Sequence, residues 1–320
     1  MTYSLEDISV VIVTYKREKD LEITIKSFSK KIKEIKEVIV VDNNPDGKAK
    51  KIIGKFSNKK LKYVASEKNS LTFARNLGVS KTDKKSKIII FLDDDVSLKE
   101  GYFENILMVF NKYSEAKGVS GYYFPIKKIN RFENILRKIF RIENWTLNKA
   151  NVLSTFGASY PYKLTKIINA KWLSGFNMVY KKTILESEKF DERFFKYCLA
   201  EDFEFSTRIN KKYPKSLFIT PYAKLIHRTS EAGRTPKPEL IYMNLINHLY
   251  IQSKNLNNFQ NILSLYLALL SITSVNIAKF LIKPNEINKI KLKIYFNAII
   301  YSLSRLGKIR RGFIDLPNKF

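Results

Sequence analysis

Short apolar runs alternate with amphipathic stretches through the first hundred residues. Val10-Val11-Ile12-Val13 is bounded by the polar turn Thr14-Tyr15-Lys16-Arg17 and predicts a buried strand. From Lys19 to Lys31, Leu21, Ile25 and Phe28 fall on one side at helical spacing. Val38-Ile39-Val40-Val41 predicts a second strand. It closes in Asp42-Asn43-Asn44-Pro45-Asp46-Gly47, residue types that hold a helix start or a tight loop. Lys62 to Ala65 predicts a short third strand, Leu71 to Val79 a short helix ending near Gly78, and Ile88 to Leu92 a fourth strand. Strand, helix, strand at this spacing predicts βαβ units, hence an α/β fold with a mostly parallel central sheet flanked by helices. Neither Gly-x-Gly-x-x-Gly nor a Walker loop occurs, so a dinucleotide fold and a P-loop are unsupported.

Further along the pattern loosens. Residues 100–118 predict a helix, and 125–170 give no clear period but carry many aromatic and basic residues. Trp172 to Lys182 is apolar and mixed, Phe190 to Asn210 is dense in acidic and aromatic residues, and Ser216 to Thr220 predicts a strand. Arg228 to Pro238, with Gly233 and Pro236, reads as a loop or boundary. The expected division is therefore a catalytic-sized domain at 1–235 and a helical, basic region at 236–320. Asn261 to Ala278 carries no charge. As a helix it reaches roughly 27 Å, just short of a bilayer core, and its Asn, Ser and Thr content weakens a spanning reading. Ile294 to Leu303 follows, trailed by Arg305, Lys308, Arg310 and Arg311. Apolar helices with basic flanks suit an anionic cytoplasmic leaflet; the other reading is a helical subdomain packed on the core.

A chain of 320 residues that is 45% hydrophobic and 13% aromatic excludes disorder. The net charge of +28 implies an anionic partner: nucleic acid, acidic lipid or a phosphorylated substrate. Lysine spread along the whole chain also fits the codon bias of an AT-rich genome. The single cysteine, Cys198, excludes an intrachain disulfide framework and a Cys-rich zinc site, and fits a reducing compartment. No basic stretch followed by a long apolar core stands at the N-terminus, so a cytoplasmic protein is expected.

The most informative chemistry is Asp93-Asp94-Asp95, directly behind the Ile88 to Leu92 run. Three carboxylates cannot enter a core unpaired, so they face solvent, donors or a cation. Ligands of open α/β sheets sit beyond the carboxyl ends of the strands. Hard oxygen donors there suit Mg²⁺ or Mn²⁺, which in turn suit a diphosphate. A solvated acidic turn is the other reading.

Four segments can be read together. They are Ser9 to Arg17 with Val40-Val41-Asp42-Asn43-Asn44; Ala74-Arg75-Asn76-Leu77-Gly78; Phe91-Leu92-Asp93-Asp94-Asp95; and Leu173 to Met178 through Phe190 to Phe195 to Ala200 to Arg208. In this order and spacing the chain resembles the family 2 glycosyltransferases, which have the GT-A fold. The resemblance implies an inverting, nucleotide-sugar-dependent transferase. It places Asp42 on the nucleotide base, usually uracil, with Thr14, Tyr15 and Arg17 lining the same pocket and Arg75 near the base or the diphosphate. Asp93 is implied near the ribose, Asp94 at the variable middle position, and Asp95 on a divalent metal, Mg²⁺ or Mn²⁺. Glu201-Asp202 matches the acceptor-side pair, with Asp202 as general base and Glu201 orienting the acceptor or its loop. Trp172 and Gly175 lie where sugar or acceptor choice is set. His227 is either a third metal ligand or a structural histidine, and His248 is a packing residue.

Two departures are visible. Asn43-Asn44-Pro45 replaces a more Ser-rich turn, which loosens the inference on the base, and Tyr180-Lys181-Lys182 stands where an Arg pair is common. The Gln-x-x-Arg-Trp signature of processive synthases is absent, so single addition to a glycan or lipid-linked glycan acceptor, near an anionic membrane surface, is expected. A metal-dependent nucleotidyl transferase or nucleic-acid-binding protein is the alternative class. Basic residues scattered rather than gathered in a stripe argue against it, and no nucleic acid partner is expected.

Overall fold

The computed structural model describes residues 2–44, 46–123, 131–139, 144–152, 158–194, 196–230, 237–254 and 259–317. Pro45, Phe195, Gly233, Pro236 and the expected boundary at 235/236 lie outside them, as do 125–130, 140–143 and 153–157. In chain order the elements are β1 (Ile8–Thr14), α1 (Glu18–Ser27), β2 (Glu37–Asp42), α2 (Lys48–Gly54), β3 (Leu61–Ala65), α3 (Leu71–Ser80), β4 (Ile88–Asp93), β5 (Val96–Leu98), α4 (Tyr102–Lys112) and β6 (Gly118–Tyr123). There follow α5 (Arg131–Ile139), β7 (Asn144–Leu147), β8 (Ser159–Lys163), β9 (Ile168–Ala170), β10 (Asn177–Lys181), α6 (Lys182–Ser187), α7 (Glu201–Lys212) and β11 (Leu217–His227). The chain ends in α8 (Lys237–Ser253), α9 (Phe259–Ile282), α10 (Glu286–Ser304) and α11 (Leu306–Arg310).

Two compact units result, one of Met1–Ile126 with Lys163–Arg234 and one of Lys127–Tyr162 with Thr235–Phe320. The first holds a sheet in the order β3-β2-β1-β4-β10-β6-β11-β5, with β9 beside β11. Its first four strands are parallel, as the βαβ spacing predicts. These strands read as continuous apolar runs because β1, β2 and β4 are buried on both faces. Beyond β4 the sheet is mixed: β10 runs antiparallel to both β4 and β6, and β11 is parallel to β6 but antiparallel to β5 and β9. Register brings the polar strand ends together. Thr14 lies opposite Asp42, Val13 opposite Asp93, Asn177 opposite Leu92 and His227 opposite Val96.

Several elements differ from the sequence reading. The first helix stops at Ser27 and continues as a 3₁₀ turn, Ser29–Lys33. The third helix runs past Gly78 to Ser80, and Gly78 serves packing rather than termination: a Cβ there would overlap Val11 and lie 3.2 Å from Val41 Cγ2. The strand expected at Ser216 to Thr220 extends to His227, because a register shift between Ile219 and Lys224 absorbs Pro221 before pairing resumes. The Trp172 to Lys182 stretch resolves into β10.

In the second unit α8 packs with α9, α10 and α11, and β7 pairs with β8. Among the described residues no helix is long and apolar enough to cross a membrane.

Two glycines give contrasting expectations. A Cβ on Gly121 would overlap the Ala223 carbonyl oxygen and lie 2.8 Å from the Tyr102 ring, whereas one on Gly54 meets nothing within 4 Å. Gly121→Ala is expected to cost about 1–3 kcal/mol by overpacking. Gly54→Ala, at the end of α2, is expected to be neutral or to stabilise by up to about 1 kcal/mol. Urea denaturation midpoints of the two variants check this.

Candidate functional site

The site forms where β1, β2 and β4 end. Thr14, the last residue of β1, donates from Oγ1 to Asp94 Oδ2 at 2.7 Å. Arg17, at the start of α1, places Nη1 3.1 Å from Asp94 Oδ1 and 3.4 Å from Asp95 Oδ2. Asp94 is 3% exposed, so this middle carboxylate is a buried tie between the first strand–helix turn and the triplet. Burial, reinforced by Asp93 and Asp95, pushes its pKa up to about 7 against the pull of Arg17 and Thr14. Tyr15 is half-buried, with the Lys16 ammonium 5.3 Å from its ring centroid.

At the end of β2, Asp42 is buried. Its Oδ1 accepts from the Asn44 backbone N–H at 2.9 Å and its Oδ2 from the Tyr63 hydroxyl at 3.2 Å. Burial pushes the Asp42 carboxyl above its usual range. Each oxygen keeps a further lone pair for a ligand N–H. Tyr63 was not singled out by the sequence; it sits in the short strand β3, and only the β2–β3 pairing places it here.

The end of β11 is fastened to the triplet. The backbone N–H groups of Arg228 and Ser230 donate to Asp95 O and Asp95 Oδ2, both at 2.9 Å. The Arg228 guanidinium donates to Val96 O at 2.9 Å, to Asp20 O and Thr24 Oγ1 at 3.0 Å, and to Ser97 Oγ. This latch, which no sequence motif signalled, sets His227 Nε2 3.1 Å from Asp95 Oδ1, with the imidazole stacked on Phe176 at 4.7 Å between centroids.

Ligand atoms of Asp93, Asp95 and His227 lie within 4.8 Å of one another. Asp95 Oδ1 is buried and has no hydrogen bond of good geometry among the described residues, although His227 Nε2 is close by. Two lone pairs facing each other at this distance repel unless a proton or a cation lies between them. Two carboxylates and an imidazole therefore fit a small divalent ion such as Mg²⁺ or Mn²⁺.

On the other side of Asp93 stands Arg75, from the middle of α3. It is 2% exposed, which excludes a surface helix arginine. Nη1 pairs with Glu201 Oε1, Nη2 donates to Gly175 O at 3.2 Å, and Asp93 Oδ1 lies 3.7 Å from Nη2. The guanidinium also lies 5.4 Å from the Phe190 ring centroid and 6.0 Å from that of Phe91. Arg75 thus bridges Asp93 to the Glu201-Asp202 pair.

Glu201 and Asp202 open α7, where the helix dipole favours negative charge. The loop entering it holds Lys196, Cys198 and Ala200 at φ of 53°, 51° and 71°, a strained left-handed backbone of the kind found at functional sites. Asp202 Oδ2 accepts from Gly175 N–H at 2.6 Å and Oδ1 from Phe203 N–H at 2.7 Å. Gly175 is a spacer: a Cβ there would lie 3.1 Å from Arg75 Nη2 and 3.2 Å from Asp202 Oδ2. Trp172 is buried, its ring edge-on to Phe203, so it packs beneath this region. His248 lies on α8 of the second unit, outside this constellation.

Three carboxylates surround one buried cation, and that imbalance retains a proton. Burial and the Asp202 charge push Glu201 up to about 8 against the pull of Arg75. Burial also pushes Asp202 up. The pair holds a proton into the neutral range, as one titrating unit.

Residues 9–188 match the model of glycosyl transferase family 2. No protein with a curated description matches the sequence. Solved structures share the fold at low identity. GalNAc-T7, crystallised with UDP, GalNAc and Mn²⁺, is 16% identical at a TM-score of 0.58, over 77% of this chain and 47% of its own. S. aureus TarS 1-349 in complex with UDP-GlcNAc is 17% identical at a TM-score of 0.55, over 96% and 88%. Glucosyl-3-phosphoglycerate synthase from Mycobacterium tuberculosis, with Mn²⁺, UDP and glucosyl-3-phosphoglycerate, is 15% identical at 0.51, over 76% and 77%.

The retained proton has a measurable sign. Glu201 holds its proton to about pH 8 when folded, against a reference value of 4.5, so between those values the folded chain binds more protons than the unfolded one. Stability from this group is complete below the lower value and is lost as pH rises through the upper, by up to about 1.4 kcal/mol per pH unit. Glu201→Gln is expected to flatten the slope by that amount in denaturation curves taken across this range. Parallel curves for the two proteins would contradict the assignment.

Proposed function

The chain belongs to glycosyl transferase family 2, and we propose that it moves one sugar from a nucleotide-diphosphate sugar, with a uridine nucleotide as donor, to an acceptor hydroxyl with inversion. The observation that carries this reading is the Arg75 bridge. One guanidinium joins Asp93, in the candidate metal group, to Glu201, beside the candidate base. Two functions that transfer chemistry needs, departure of a diphosphate and deprotonation of a hydroxyl, thereby share one site. The uridine assignment is supported by Asp42, whose carboxylate suits an imide N–H, and by the UDP or UDP-sugar named in the three structures above.

On the donor side, Thr14, Tyr15, Arg17 and Asp42 hold the base and sugar of the nucleotide, and Asp93, with Asp94 behind it, faces the ribose. Asp95 and His227, with Asp93 beside them, would hold Mg²⁺ or Mn²⁺, which when bound would supply positive charge against that of the departing diphosphate. Asp202 takes the proton from the acceptor hydroxyl as its oxygen attacks the anomeric carbon. The bond from that carbon to the diphosphate oxygen breaks as the new one forms, and the electron pair leaves with the nucleotide. Attack from the face opposite the leaving group inverts the centre without a covalent intermediate. The hydrogen bonds from Gly175 and Phe203 fix the carboxylate plane, and each oxygen keeps a lone pair for the incoming proton. Glu201, held by Arg75, orients the acceptor loop together with Gly175.

The acceptor is a glycan or a lipid-linked glycan, met by a cytoplasmic enzyme at an anionic membrane surface. Support for the lipid comes from the composition of the last sixty residues, where apolar helices alternate with lysine and arginine.

Asp202→Asn keeps the shape of the side chain but removes the base. It is expected to leave nucleotide affinity nearly unchanged while lowering turnover by about 10²-fold or more. Titration of nucleotide against the variant, beside its steady-state rates, separates the two effects. A loss of nucleotide affinity would move Asp202 to the donor side.

A further inference from the structure

We infer that the second unit docks on anionic lipid through the exposed surface of α9 and α10, lying in the plane of the membrane rather than crossing it. Tyr266, Leu270, Ile277 and Leu281 fall within an arc of about 60° on α9, at 100° per residue. They are between 37% and 71% exposed, while Val275 on the other side of the helix and Leu269 at the flank of the arc are buried. The outward face of a helix in water is normally charged. Here residues 259–278 carry no charge at all, and Lys279 and Lys283 follow immediately. On α10, Ile287, Ile290 and Ile300 are exposed beside Lys289, Lys291 and Lys293. Across 259–304 the sole acidic residue is Glu286.

Apolar side chains interleaved with lysines select the occupant. A second copy of this chain, in a twofold contact, would set this lysine-rich patch against itself and leave its charge unbalanced. Lipid offers hydrocarbon to the isoleucines and leucines and, just above it, phosphate to the ammonium groups. Neither helix is long and apolar enough to span. The apolar face is therefore satisfied by shallow insertion. The inference deepens the acceptor reading above and takes its purpose from it: a docked enzyme meets a lipid-linked acceptor in two dimensions.

The test is co-sedimentation of the full chain with vesicles of phosphatidylcholine alone and of phosphatidylcholine with phosphatidylglycerol. Binding to the anionic vesicles alone, weakened by salt, is expected. Leu270→Glu/Leu281→Glu, and separately Lys289→Gln/Lys291→Gln/Lys293→Gln, are expected to weaken it by about tenfold or more. All five side chains are at the surface, and circular dichroism of each variant checks that it folds. Three outcomes overturn the inference: no pelleting with anionic vesicles, equal pelleting with neutral ones, or a dimer in light scattering that these variants abolish while vesicle binding is absent. The vesicles contain no sugar and no acceptor. Transfer to a soluble acceptor, measured alongside, shows whether the transferase reading stands or falls separately.

Discussion

The Arg75 guanidinium is buried where three carboxylates converge, and the site is organised around its charge. A buried cation without partners costs several kcal/mol. Arg75 finds its partners on separate elements: Asp93 at the end of β4, Glu201 at the start of α7, and the Gly175 carbonyl ahead of β10. The contacts span as many as 126 positions of sequence, so they form only once the sheet is assembled. Arg75 also makes Asp93 and the Glu201-Asp202 pair electrostatically one object. A change of charge at Asp93 is felt at Glu201 through a single side chain, and the proton retained by the Glu201-Asp202 pair follows from an excess of carboxylate over guanidinium.

A second fastening works on the far side of the triplet. β11 crosses a bulge, pairs with β5, and ends in His227, with Arg228 directly after it. Arg228 donates to backbone and hydroxyl oxygens of α1 and of the segment after β4, with Asp20 Oδ1 3.6 Å from its Nε, so it holds geometry and leaves the carboxylates of the triplet to other partners. Asp95 is then left with an oxygen facing His227, and Asp94 with oxygens facing Thr14 and Arg17. Three adjacent aspartates thus have three different surroundings. A turn between two strands makes this possible, since it points successive side chains in different directions.

The parallel half of the sheet was legible because strands buried on both faces are written as unbroken apolar runs, as in Val10 to Val13 and Ile88 to Leu92. The end of β11 was not, because Pro221 breaks the apolar run, and beyond it the strand changes from fully buried to alternating, with Tyr222 and Lys224 exposed between buried Ala223 and Leu225. The acidic motifs stood out since clustered carboxylates beside an apolar run demand a partner. The roles of Tyr63 and Arg228 are set by neighbours distant in sequence, and a lone Tyr or Arg carries no local signal of them. Asp94 stands at the variable middle position of the motif; its bonds to Thr14 and Arg17 depend on a β1–β4 register that composition does not encode. In the second unit the lack of charge in 261–278 was readable, but the side of the helix left in solvent was not.

The nucleotide site proposed above joins the triplet, His227 and Asp42 and depends on a divalent metal. Calorimetry of the purified chain with UDP, GDP and dTDP, each in Mn²⁺ and then in EDTA, tests it most directly. UDP is expected to bind, EDTA to abolish binding, and Asp95→Ala to do the same while remaining folded. No binding of any nucleotide, together with salt-sensitive binding to DNA or RNA, would contradict it and return the chain to the nucleic-acid-binding class.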